Sequence, residues 1–118
     1  LAGLGTRLSF GSDWPVSSPD PLAGIAVACS RQTEHRMPAG GWTPHERLSL
    51  TAALTASTAG TAHQAGRHAG TLQVGHDADL VLLDRDPFAL TDPGDLATVR
   101  VERTWLRGIP NTTSRERG

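Results

Sequence analysis

The apolar positions of this chain fall into two patterns that change near its middle. Leu22, Ile25, Ala26 and Cys29 recur at i, i+3, i+4 and i+7, the spacing that places side chains on one helix face. Asp20 before Pro21 supplies the start: a carboxylate cap, then a proline at the first helical position, where its missing N–H would have no partner. Cys29 lies on the stripe as a small buried hydrophobe. A second helix follows Thr43-Pro44-His45-Glu46, which has the form of a capping box, and carries Leu50, Ala53, Leu54 and Ser57 on one side. Gly60 is placed to end it. Before the helices, residues 4–10 lead into a buried strand that contains Leu8-Ser9-Phe10 and stops at Gly11.

From residue 70 the period shortens. Gly70-Thr71-Leu72-Gln73-Val74-Gly75 reads as a short strand between glycines, and Leu80 to Leu83 is an apolar run of strand length. Asp84 to Pro87 is a turn. Val99 and Val101 alternate with Arg100 and Glu102, which predicts a half-exposed strand running towards Trp105 and breaking at Gly108. The chain is thus helix-rich to about residue 68 and strand-rich beyond, with a boundary at 65–70. The polar tail 111–118 reads as disordered.

Composition narrows the functional classes. Eleven Lys+Arg face twelve Asp+Glu, a net charge of −1, which argues against a nucleic-acid or anionic-membrane surface. No apolar run approaches the ~20 residues of a membrane span. The single cysteine allows neither an internal disulfide nor a thiolate metal cluster. Nothing points to an oxidising compartment, so the expected location is the cytoplasm. The chain starts at Leu1 and its one methionine is Met37, which suggests part of a longer protein.

The richest stretch for chemistry is Gly11-Ser12-Asp13-Trp14-Pro15-Val16. It puts a carboxylate where a strand opens into a loop, the usual place for catalytic groups in α/β proteins. On spacing alone, Asp13 can equally be a turn carboxylate accepting backbone N–H bonds. Ser12 and Trp14 can line a substrate pocket, or serve local backbone and packing. Asp77 and Asp79 read as strand-entry turn residues; a calcium loop needs many more oxygen ligands. Glu46 belongs to the capping box, since His45-Glu46 lacks the second histidine of a zinc-protease helix.

Five stretches in order resemble the carboxyl-terminal end of an amidohydrolase of the family-3 type, the group that includes N-substituted formamide deformylases. They are Leu8 to Val16, Glu46 to Leu54, Gly70 to Asp84, Asp86-Pro87-Phe88, and Thr104 to Gly108. The resemblance runs from about residue 3 to residue 109. It implies an α/β fold: residues 7–13 as the last strand of a (β/α)8 barrel, 21–32 and 46–59 as the helices after it, and 70–108 as the final strands of a composite β-sandwich. The corresponding division is 1–66 barrel, 67–110 sandwich segment and 111–118 tail. The resemblance also implies a metal-dependent hydrolase acting on non-peptide C–N bonds of small amides or formamides. Asp13 then faces or ligates a divalent metal, zinc being the expected ion, and takes a proton from the attacking water.

The other ligands of such a site would be a His-x-His pair, a carboxylate or carboxylated lysine, and two more histidines. His35, His45, His63, His68 and His76 do not supply that spacing. A barrel of this kind needs about 250 residues. The expectation is therefore a fragment, incomplete as a stand-alone domain and inactive alone. The alternative is a non-catalytic module that forms homo-oligomers or docks on a partner supplying the rest of the barrel.

Overall fold

The structure, a computed structural model, describes residues 1–111. Its centre is α1 (Pro21–Ser30). The Asp20 carboxylate accepts the Leu22 N–H at 2.9 Å, as the Asp-Pro start predicts. Leu22, Ile25, Ala26 and Cys29 are all buried. They pack against Ala53 from the second helix and against Leu96 and Val99, which lie on and just after a 3-10 turn at Pro93–Thr98. Burial raises the pKa of the Cys29 thiol, which keeps it protonated.

The second helix starts later than the capping box predicts. Thr43 has a left-handed φ of 44°, and its hydroxyl accepts from Arg31 Nη2 at 3.0 Å instead of capping a helix. Pro44–Glu46 is only a 3-10 turn. The effective cap is Ser49, whose Oγ accepts the Ala52 N–H at 3.1 Å, and α2 spans Leu50–Thr55. Nor does Gly60 end the helix. The backbone stays right-handed through a wide π turn at Ala56–Gly60 and into α3 (Thr61–Gln64). The run stops at Gly66, with a φ of 66°. There the Arg67 N–H reaches the Ala62 carbonyl at 2.9 Å and the Gly66 N–H reaches that of His63 at 3.1 Å, the paired bonds of a Schellman end.

The sheet is small: three antiparallel strands in the order β1 (Leu80–Leu83), β2 (Val101–Leu106), β3 (Ile109–Asn111). Leu80 faces Trp105, and the register shifts between Leu82 and Leu83. Gly108 does not end the structure. Arg107 and Gly108 both have positive φ, 50° and 79°, which makes a two-residue hairpin turn whose twist suits the strands. Asn111, expected to be tail, pairs with Thr104; the tail beyond it, 112–118, lies outside the described residues.

Two predicted strands do not form. Residues 7–13 join no sheet: the Phe10 N–H goes to the Ala56 carbonyl of the helical run at 3.1 Å, and Asp13 already lies in a turn. Residues 70–75 form bends and a turn. No neighbouring strand offers them a ladder, and Leu72 and Val74 stand exposed. Val99 precedes β2 instead of belonging to it, and α1 stops at residue 30 rather than 32. The fold is a mixture of helix and small antiparallel sheet. Among the described residues, no helix is long and apolar enough to cross a membrane.

Among the described residues, Leu96 is the one large side chain with no exposure at all. Leu96→Ala should therefore lower stability by about 2–5 kcal/mol, the usual loss for a buried leucine. Urea unfolding followed by circular dichroism reads this. A loss below about 1 kcal/mol would show that α1 does not depend on the 93–98 contact.

Candidate functional site

Ser12, Asp13 and Trp14 sit on the loop that leaves the extended segment 6–10. That segment is fixed by backbone, not by a sheet. The Ala56 carbonyl accepts the Phe10 N–H, and the Thr61 hydroxyl lies 3.2 Å from the Phe10 carbonyl and 3.0 Å from that of Ala56. The Leu8 carbonyl packs directly over the Cα of Gly60, where any side chain would collide with it. Beyond Phe10 the chain turns. Asp13 has a φ of 53°, in the left-handed region that aspartate tolerates better than most residues. Its carbonyl accepts the Val16 N–H at 2.8 Å, and the Ser17 hydroxyl donates to the Ser12 carbonyl. Ser12 is half-buried; Asp13 and Trp14 are exposed.

The chain has eight aspartates, and seven have work for their carboxylates. Asp20, Asp86 and Asp92 cap helical turns. Asp92 and Asp95 also receive Arg36 Nη2, at 2.8 and 3.2 Å. Asp84 accepts the Arg100 N–H at 3.0 Å and pairs with Arg85. Asp77 and Asp79 hold Arg67 Nη2 at 2.8 and 2.9 Å, and Asp79 also accepts the Arg107 N–H at 2.9 Å. Asp13 alone has no hydrogen bond to its carboxylate among the described residues. The turn-carboxylate alternative requires backbone N–H groups bound to it, and among the described residues none is.

Asp77 and Asp79 are strand-entry residues, as their position predicts. The structure adds what they tie: Arg67 at the end of α3 on one side, the Arg107 turn on the other. An Asp-x-Asp pair in extended chain projects to one side, which is the signal that could have called for a shared cation.

A metal centre is not complete here. Among the described residues, no three His, Cys, Asp or Glu side chains converge. His35 and His45 sit beside Glu34 and Glu46 on the surface, and His63 is exposed. The His68 and His76 rings lie 6.2 Å apart, with His76 Nδ1 hydrogen-bonded to the Thr71 hydroxyl at 2.7 Å. Asp13 can offer a cation one free carboxylate and no co-ligand. A groove of about 470 Å³ lies between Thr6, Arg7 and Leu8 on one side and Ala52, Thr55 and Ala59 on the other; Ser12, Asp13 and Trp14 do not line it.

Comparison of the sequence with known proteins places the chain in a family. The model of the amidohydrolase family matches residues 1–110. The chain is 32% identical over 110 residues to YtcJ of Bacillus subtilis (strain 168), a protein named as an amidohydrolase. It is 33% identical over 111 residues to the N-substituted formamide deformylase of Arthrobacter pascens. Each match covers 92% of this chain, but 21% and 20% of the relatives. Protein LONG AFTER FAR-RED 3 of Arabidopsis thaliana is 41% identical over 86 residues, 69% of this chain and 14% of that protein. No solved structure matches the chain.

The chain therefore belongs to the amidohydrolase family, whose members are generally metal-dependent. It spans about a fifth of the length of the Bacillus and Arthrobacter relatives.

The acidic pair gives a pH prediction. The hydrogen bond from Arg67, first among the causes, lowers the pKa of Asp77. A depressed carboxylate stabilises the fold above its unfolded pKa, and that contribution is lost as pH falls through the folded value. Carboxyl NMR should show Asp77 titrating below the ordinary ~3.9, and Arg67→Ala should move it up to that range. An unchanged titration would mean that the pair does not persist in solution.

Proposed function

We propose that this chain is the carboxyl-terminal portion of a metal-dependent hydrolase acting on non-peptide C–N bonds, with small amides or formamides as the substrate class. Asp13 is its metal-facing general base, and Ser12 and Trp14 line the substrate pocket. One observation carries the reading: of eight aspartates, only Asp13 keeps its carboxylate free among the described residues, and it lies inside the family match. The activity for which the Arthrobacter relative is named supports the substrate class. In this reading residues 1–66 complete a barrel and 67–110 a sandwich, both with segments this chain does not contain.

The chemistry follows from the free carboxylate. A divalent cation, zinc in this proposal, held by Asp13 and by ligands outside this chain, would lower the pKa of a bound water towards about 7. Asp13 accepts the proton that the attacking water loses. It then returns that proton to the departing amine, which leaves as a neutral molecule. An aspartate already bonded to backbone N–H groups would be a weaker base, because those bonds favour its charged form. Trp14, exposed beside Asp13, offers an apolar face to the N-substituent of an amide.

A second reading rests on a different observation. Leu1, Leu4, Val16, Leu72 and Val74 are all more than four-fifths exposed, an unusual amount of apolar surface for a chain this size. A non-catalytic module that self-associates or docks on a partner would cover it.

The deciding experiment is Asp13→Asn in the polypeptide that carries this segment with its barrel. Turnover should fall by about 10²–10⁴-fold, and retained turnover would overturn the base assignment. Size-exclusion chromatography and metal analysis of the 118-residue chain separate the two readings. A metal-free oligomer favours the module. A zinc-loaded active monomer would overturn the view that the remaining ligands lie elsewhere.

A further inference from the structure

We infer that the π turn at Ala56–Gly60, together with Thr61, is a positioning device for Asp13. The inference rests on the reading of Asp13 as general base and adds the residues that aim it.

The loop 11–17 has few anchors of its own. The Asp13 carbonyl receives Val16 N–H and the Ser12 carbonyl receives Ser17, so these contacts shape the turn without fixing it to the rest of the protein. The direction in which Asp13 leaves is therefore set at Leu8–Phe10. That segment belongs to no sheet, yet it has three ties to one helical turn. The Ala56 carbonyl takes the Phe10 N–H at 3.1 Å. The Thr61 hydroxyl stands between the carbonyls of Phe10 and Ala56, 3.2 and 3.0 Å from them, and donates to that pair as a shared bond. The bare Cα of buried Gly60 lets the Leu8 carbonyl come to rest on the helix.

The wide turn is what brings these groups together. In a regular helix, carbonyls point along the axis at the next N–H, four residues on. Widening the turn lets the Ala56 carbonyl serve a donor outside the helix, and π turns of this kind recur at functional sites. Gly60 meets the same demand sterically. Helix interiors disfavour glycine relative to alanine, yet here a Cβ would strike the Leu8 carbonyl, so the glycine has a packing role. Gly60 and Thr61 follow Ala56 by four and five residues, so in the wide turn both lie about one turn on from it. Three anchors over three residues leave the segment one seat, three residues before the carboxylate.

Two variants and two readouts test this, in the polypeptide that carries this segment with its barrel. Gly60→Ala pushes the Leu8 carbonyl off the helix; Thr61→Val removes the hydroxyl at nearly constant shape. Thr61→Ser keeps the hydroxyl. Hydrogen exchange of the peptide covering 8–13 reads the seat without reference to activity, and steady-state kinetics read its consequence. Gly60→Ala and Thr61→Val should speed exchange of the Phe10 amide by about tenfold or more. They should lower kcat by about 10–100-fold with KM within about twofold, the signature of a misplaced catalytic group. Thr61→Ser should return both readouts to near the parent. If Gly60→Ala does not fold, Thr61→Val against Thr61→Ser decides alone.

Unchanged exchange in both variants would overturn the clamp. Faster exchange with unchanged kcat, in a protein that Asp13→Asn inactivates, would overturn its positioning role. Should Asp13→Asn keep full turnover, the base reading fails, and the exchange data still decide whether the clamp exists.

Discussion

The contact between one face of α1 and the turn at 93–98 is the constraint on which this architecture depends. Most of the fully buried apolar side chains lie in it. It joins residues some seventy positions apart, so it must repay the entropy of closing a long loop, a cost that grows only slowly with length. Arg36 adds a second tie across the same gap by reaching Asp92 and Asp95. Those side chains are half-exposed, and pairs in water contribute little. Burial at Leu96 and Val99 is the larger effect. With those elements joined, the second helix packs through Ala53, and the segment before Asp13 packs on the π turn and Thr61 that continue that helix.

The parts legible in the sequence were those set by local chemistry. The stripe on α1 needs only its own spacing, and the Asp20-Pro21 start needs only its own cap. The run at 80–83 was legible because four consecutive apolar residues of strand length leave few alternatives. Long-range competition decided what the sequence did not show. Thr43 has the right spacing for a capping box, but Arg31 claims its hydroxyl. Gly60 has the composition of a helix end, but its backbone stays right-handed because a neighbouring segment needs the bare Cα. Residues 70–75 alternate like a strand, yet alternation makes no sheet without a partner. Gly108 read as a break, but it is half of a two-residue turn: Asp79 holds the Arg107 N–H and the hairpin closes.

The candidate site divides in the same way. The motif alone singled out Asp13 as a candidate. That it stands apart from every other aspartate was not, because the caps and arginine partners of the other seven emerge only from the fold. Most of the acidic residues are structural: they close turns, cap helices and hold guanidinium groups. Against that background a carboxylate without a partner is informative, since folding gives it nothing to do. The free group lies three residues after a segment tied to the helical run at Phe10.

Cys29 has a consequence of a different kind. The chain's lone sulfhydryl lies in the centre of the packing, under α1, so a thiol-directed dye cannot touch it until that helix lifts. The rate of labelling is thus a built-in clock for the opening of the interior. It counts how often the protein breathes, with no probe to be engineered and no second cysteine to confuse the signal.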